Sequence, residues 1–154
     1  MQRLLELRVP PLLLTLIAGS LMWWLARVTP ALDWPLGSRA VAAALLCVSG
    51  LAIAIAAVRE FRVARTTVNP LRPAGASAMV RTGIYRHTRN PMYLGLLLVL
   101  AAWSVWLASP AAMAVLPVVV VYLDRLQIAP EERALAERFG RDFDEYRRSV
   151  RRWL

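Results

Sequence analysis

Residues 9–26, 40–58, 91–108 and 111–123 carry no charged side chain. At about 1.5 Å per residue, a helix over the first of these runs reaches roughly 27 Å, enough to cross a hydrocarbon core. The sequence therefore predicts an all-α integral membrane protein with four transmembrane helices at those positions. A polar connector over 59–90 and an amphipathic C-terminal helix over 130–153 complete a single domain spanning 1–154. Arg3 and Arg8, followed by Ala18-Gly19-Ser20, have the outline of a signal peptide. The apolar character continues through Leu21–Leu25 beyond any cleavage point, which argues for a span instead.

Charge orients the chain. All 19 basic residues are arginine, against 10 acidic residues, giving a net charge of +9. The arginines cluster at the ends of the apolar runs rather than on one soluble face, which argues for lipid headgroups and against nucleic acid. The connector and the tail are the most arginine-rich segments, and four spans place both on the same side as the N-terminus. The positive-inside rule makes that side cytoplasmic, in an inner or plasma membrane. Arg59, Arg62 and Arg65 recur at three-residue spacing and are expected on one helical face at headgroup level.

Cys47 is the only cysteine and His87 the only histidine. No metal cluster, nucleophilic triad or intrachain disulfide can be assembled from them. There is no glycine-rich turn of the dinucleotide-binding type.

Two stretches remain that can carry chemistry. The first is Thr82–Gly95, T-G-I-Y-R-H-T-R-N-P-M-Y-L-G. Asn90 is placed to cap a helix that Pro91 begins, and Tyr93 suits a membrane interface. The same geometry offers free N–H groups and a positive dipole end to a carboxylate or phosphate, reinforced by Arg86 and Arg89. The second is Glu131-Glu132. Leu135, Phe139, Phe143, Tyr146, Val150 and Trp153 draw one apolar stripe, and Glu132 falls on it. An unpaired carboxylate there is costly, so it should bind an arginine or a cationic ligand.

Together these stretches resemble a known family. The segment M-V-R-T-G-I-Y-R-H-T-R-N-P-M-Y-L-G and the tail E-E-R-A-L-A-E-R-F-G-R-D-F-D-E-Y-R-R-S-V are similar to the integral-membrane methyltransferases typified by isoprenylcysteine carboxyl methyltransferase and the phospholipid N-methyltransferases. The resemblance covers the C-terminal part of the chain. It implies a site for S-adenosylmethionine (SAM), with S-adenosylhomocysteine as product and no metal. The implied cofactor-binding residues are Ser77, Ala78, Met79, Val80, Tyr85, Asn90, Pro91, Met92, Tyr93 and Glu132. The implied catalytic residues are Glu132, Arg89 and Arg125.

Asn90 stands where the family often has histidine. Ile128 occupies the place of the substrate arginine of the isoprenylcysteine enzymes, and Arg125, about one turn earlier, is the candidate substitute. The expected partners are membrane lipids and a lipophilic or prenylated acceptor. With no evident base beyond Glu132 and His87, a carboxylate acceptor of the isoprenylcysteine type is favoured over an amine. A phospholipid or other small lipophilic acceptor is the alternative, and a non-catalytic membrane scaffold is the rival from another class.

Overall fold

A computed structural model describes residues 9–66 and 78–154, and every regular element among them is helical. Helix α1 spans Pro11–Val28, α2 Leu36–Val63 and α3 Pro91–Leu107. Short helices α4 (Pro110–Met113) and α5 (Val115–Tyr122) lead through a π-wound turn (Leu123–Ile128) into α6 (Ala129–Phe139). Helix α7 covers Arg141–Ser149, and a single 3-10 turn covers Gly83–Arg86.

Prolines set several of these boundaries. Pro11 and Pro91 stand at first helical positions, where a missing N–H costs nothing. Pro117 cannot donate to the carbonyl of Met113 and crowds it, and the turn between α4 and α5 falls at Ala114. Pro130 stands in the same relation to Leu126, inside the π-wound turn, where the wider winding accommodates the ring.

Helices α1, α2 and the continuous rod Pro110–Phe139 are each long and apolar enough to cross a bilayer, and α3 is a shorter apolar helix of 17 residues. The rod of 30 residues is about 45 Å long, more than a hydrocarbon core needs. Its polar end, α6, therefore projects beyond the apolar region. Outward-facing Leu12, Leu16, Leu45, Val48 and Ile55 are exposed, as residues bathed in lipid would be.

The tightest packing is between α2 and α3 at Gly50 and Gly95. A Cβ on Gly50 would lie 2.7 Å from the Gly95 carbonyl oxygen, and one on Gly95 would lie 2.6 Å from the Gly50 oxygen. Only glycine allows backbones this close. Behind α3, Met22, Leu100, Ala112, Leu123 and Ile128 form the main buried cluster with α1 and the rod.

Hydrogen bonds fix which ends meet. Gln127 donates to the carbonyl of Val9 at 2.7 Å, joining the start of α1 to the π-wound turn. At the opposite end Leu32 donates to the Ala108 carbonyl at 2.7 Å. The start of α1, the connector and the tail thus share one end of the bundle, as the four-run pattern requires.

The structure corrects several sequence expectations. The fourth apolar run does not stop at residue 123; its helix continues to Phe139, because the π-wound turn carries it past Pro130. The helix expected over 130–153 is not one helix. Gly140, at φ +53, breaks it between α6 and α7, and Val150 onward is extended. Its stripe folds onto the protein: Phe143, Tyr146 and Val150 pack with Leu135, Phe139 and Met79. Helix α2 runs on to Val63 rather than ending at residue 58, so the connector begins later than residue 59. Arg65 lies past that helix at φ +49 and does not continue the face of Arg59 and Arg62. Asn90 holds the N-cap position of α3 but its side chain does not cap.

Candidate functional site

Four segments from distant parts of the chain converge at the connector end. Helix α2 delivers Phe61 in its last turn. The connector delivers Val80 and Tyr85, held by a small apolar cluster with Ala57 and Phe61. The Tyr85 and Phe61 rings meet edge to face at 5.5 Å. Gly83 sits at φ +55 against Glu60, whose carboxylate accepts from Thr82 Oγ1 at 2.5 Å. A Cβ at Gly83 would lie 2.3 Å from that carboxylate, which a flexible side chain can relieve; the positive φ is what favours glycine here.

The tail closes the site as a strap. Arg89 N–H donates to the Arg151 carbonyl at 3.0 Å. Thr88 Oγ1 and Asn90 Nδ2 both donate to the Arg152 carbonyl, at 3.2 and 3.0 Å. That bond explains why Asn90 does not cap α3. Tyr146 donates to the Tyr85 carbonyl at 2.7 Å, tying α7 to the connector. Trp153 Nε1 donates to Asp124 at 3.2 Å, anchoring the last residues on the π-wound turn.

Glu132 lies at the centre. Arg89 Nη2 donates to its Oε1 at 2.7 Å, and Arg152 Nη2 to its Oε2 at 2.6 Å. The side chains of Arg89 and Glu132 are only 10% and 12% exposed. Arg89 Nη1 also donates to the carbonyls of Arg147 and Val150, both at 2.8 Å. Its Nε is buried and has no partner. Glu131, next in sequence, accepts instead from the Tyr93 hydroxyl.

The two carboxyls differ in ionisation. Burial pushes Glu131 up to about 8, the bond from Tyr93 opposes this, and the charge of Glu132 adds to it. Burial also acts to raise Glu132, but the hydrogen bonds from Arg152 and Arg89 outweigh it and hold the carboxyl below its ordinary value. Adjacent acids driven apart in this way are suited to separate roles, one as fixed charge and one as proton carrier. Burial raises Tyr85 well above the ordinary phenol range, so it stays neutral. Tyr146 is pushed up to about 12 by burial, against the nearby charges of Arg89 and Arg81.

These groups enclose a cavity. Ala78, Met79 and Val80 line it with Tyr85 and Arg89. Asn90, Met92, Tyr93 and Glu132 complete the part drawn from the sequence expectations. Pro91 is buried at the start of α3 behind them. Ser77 lies outside the described residues. Arg125 is not brought to the cavity: it is exposed on the π-wound turn, where the winding directs it away. Arg89 lines the cavity, and Arg152 reaches Glu132 beside it.

Phe61, Phe143, Tyr146 and Arg152 were not expected in the site from sequence, and Glu131, a candidate with Glu132, had no role assigned. The pair Glu131-Glu132 was a visible signal. Arg152 had none, because its role depends on the break at Gly140 and the turn back of the last residues.

The arrangement suits a small, charged, partly apolar ligand. It offers an unpartnered buried donor at Arg89, uncapped first-turn N–H groups of α3, two carboxyls and five aromatic rings. The profile of the phospholipid methyltransferase family matches residues 38–142, from the start of α2 to the start of α7. An uncharacterized protein of Haemophilus influenzae is 41% identical over 63 residues, covering 41% of this chain and all of that protein. No solved structure matches at a significant level. With α2, α3, the rod and α6 all under one profile, the chain belongs to the phospholipid methyltransferase family of membrane methyltransferases.

Proposed function

We propose that the protein transfers a methyl group from SAM to a lipophilic acceptor that reaches the site from the membrane. One observation carries this reading. The Arg89–Glu132–Arg152 bridge draws connector, α6 and tail around a single cavity, and leaves Arg89 Nε buried without an acceptor. The donor set fits SAM. Arg89 Nε and the first turn of α3 suit its carboxylate, Glu132 its ammonium, and Phe61, Tyr85 and Tyr93 a sulfonium. When bound, SAM supplies an electrophilic methyl group whose carbon–sulfur bond breaks as the acceptor's bond to carbon forms.

The chain's own work is positioning, water exclusion and proton handling. The bridge fixes Glu132 as a charge and prevents the tail from lifting. Glu131, neutral below about pH 8, becomes a proton acceptor above it. The expectation of a carboxylate acceptor rested on the lack of a base. Glu131 supplies one, so the site supports a lipid amine better: an ammonium acceptor gives its proton to the Glu131 carboxylate, and the freed nitrogen lone pair takes the methyl group. The isoprenylcysteine-type carboxylate remains the second reading, favoured by the unpartnered Arg89 donor.

The test is methyl transfer from labelled SAM in vesicles containing phosphatidylethanolamine or a prenylcysteine analogue, with the wild type, Glu131→Gln and Arg89→Met. Label in the amine lipid, lost in Glu131→Gln, is expected. Label in the prenylcysteine alone supports the second reading. A wild type that binds no SAM refutes both and leaves the scaffold.

A further inference from the structure

A second concavity lies at the other end of the bundle. Beyond the Gly50–Gly95 crossing, α1 and α2 both rest on α3 and leave a furrow of about 960 Å³ between them. Gly19 of α1 and Ala44 and Cys47 of α2 form its walls, and Leu100, Trp103 and Trp106 of α3 form its floor. Small side chains on both walls make it wide. It shares no lining residue with the cavity at the connector end. Trp103 is fixed there by its bond to the Gly19 carbonyl at 3.1 Å, so the floor is preformed.

The mouth of the furrow is cationic. The Arg39 guanidinium lies over the Trp106 ring at 5.6 Å, and the Arg27 guanidinium over the Trp23 ring at 5.2 Å. Both rings line the furrow. Arg39 Nε is buried and has no hydrogen-bond partner. Across residues 27–39 the two arginines face one acid, Asp33. A buried N–H donor without an acceptor calls for an anion, and a second guanidinium stacked on another lining ring adds to the attraction. An apolar trough leading from it calls for a hydrocarbon chain.

We infer that the furrow binds an anionic phospholipid, with one acyl chain laid along α3 and the phosphate on Arg39 and Arg27. The site belongs to the leaflet opposite the methyl-transfer cavity and does not depend on that reading. A zwitterionic lipid offers the same phosphate, but its own cation adds repulsion from the arginines. The site therefore selects by net charge. Each arginine near a membrane surface gives a preference of roughly fivefold.

The full chain is placed in phosphatidylcholine vesicles doped with equal fractions of brominated phosphatidylglycerol or brominated phosphatidylcholine. Quenching of tryptophan fluorescence is then read, four of the tryptophans being in the furrow. The phosphatidylglycerol analogue is expected to quench at several-fold lower mole fraction. Arg39→Gln with Arg27→Gln should remove the preference, Arg39→Lys should keep part of it, and Ala44→Phe, which fills the trough without adding a tryptophan, should reduce quenching by both lipids. Equal quenching of the wild type by the two analogues overturns the inference, as does a preference that survives the double substitution. Abolition of the preference by millimolar inorganic phosphate also overturns it, since that shows an ion site only. Oxidative cross-linking of two chains through Cys47 shows a second copy in the furrow and overturns it as well.

Discussion

Replacing Glu132 by glutamine tests the centre of the site. The substitution keeps the shape and removes the charge from a group that accepts from Arg89 at 2.7 Å and from Arg152 at 2.6 Å. One carboxylate oxygen becomes an NH2 that faces a guanidinium, so at least one charge-assisted bond is lost and a donor meets a donor. Removing one partner of a buried pair costs about 3–5 kcal/mol, because the other charge stays buried. Arg152 is 36% exposed and can turn to water, so its share is reduced. Arg89 cannot, being 10% exposed and held by two backbone carbonyls. The expected loss is on the order of 3 kcal/mol, concentrated on the Arg89 side. Denaturation in mixed micelles of the wild type, Glu132→Gln, Arg89→Met and the double variant gives the coupling directly. A coupling of about 1–3 kcal/mol is expected. Additive effects, or a Glu132→Gln protein as stable as the wild type, refute the bridge as the clasp of the site.

Methyl transfer to an amine acceptor should rise with pH through about 8, where Glu131 ionises, and Glu131→Gln should be slow and flat over that range. Stability should show the opposite slope. Glu131 has a folded-state value above its ordinary one, so the folded protein keeps a proton that the unfolded chain releases, and stability falls as pH rises from about 4.5 to about 8. That slope should vanish in Glu131→Gln, measured by the same denaturation. Gly95→Ala should cost about 1–3 kcal/mol, since its Cβ meets the Gly50 backbone oxygen at 2.6 Å and backbone cannot yield. Gly19→Ala, with its nearest neighbour at 3.9 Å, should be close to neutral in the same assay. Arg152→Ala should weaken SAM binding at least tenfold if the strap holds the cavity closed, and isothermal titration in detergent reads it.

The helical class and the common end of connector and tail were legible because apolar run length and arginine placement are direct consequences of the bilayer as solvent. Met79, Tyr85, Tyr93 and Glu132 were legible as a group through motif resemblance and through the cost of a carboxylate on an apolar stripe. What was not legible depended on winding and on chain reversal. The π-wound turn rotates everything after Tyr122 relative to an ordinary helix, and a 3.6-residue count carried through it misplaces Arg125. Gly140 lies inside the periodic pattern over 130–153, yet its positive φ splits the helix and lets residues 150–153 return to the connector. Asn90 had the right residue type for a cap, but a long-range partner, the Arg152 carbonyl, took its side chain.

The Gly50–Gly95 crossing constrains how this molecule can breathe. A contact between two main chains has no rotamers through which to relax, so α2 and α3 must shift together as one slab. Whatever room a bulky guest requires at the connector end has to come from the opposite wall, where the strap, α6 and α7 are fastened by polar bonds that can open and re-form one at a time.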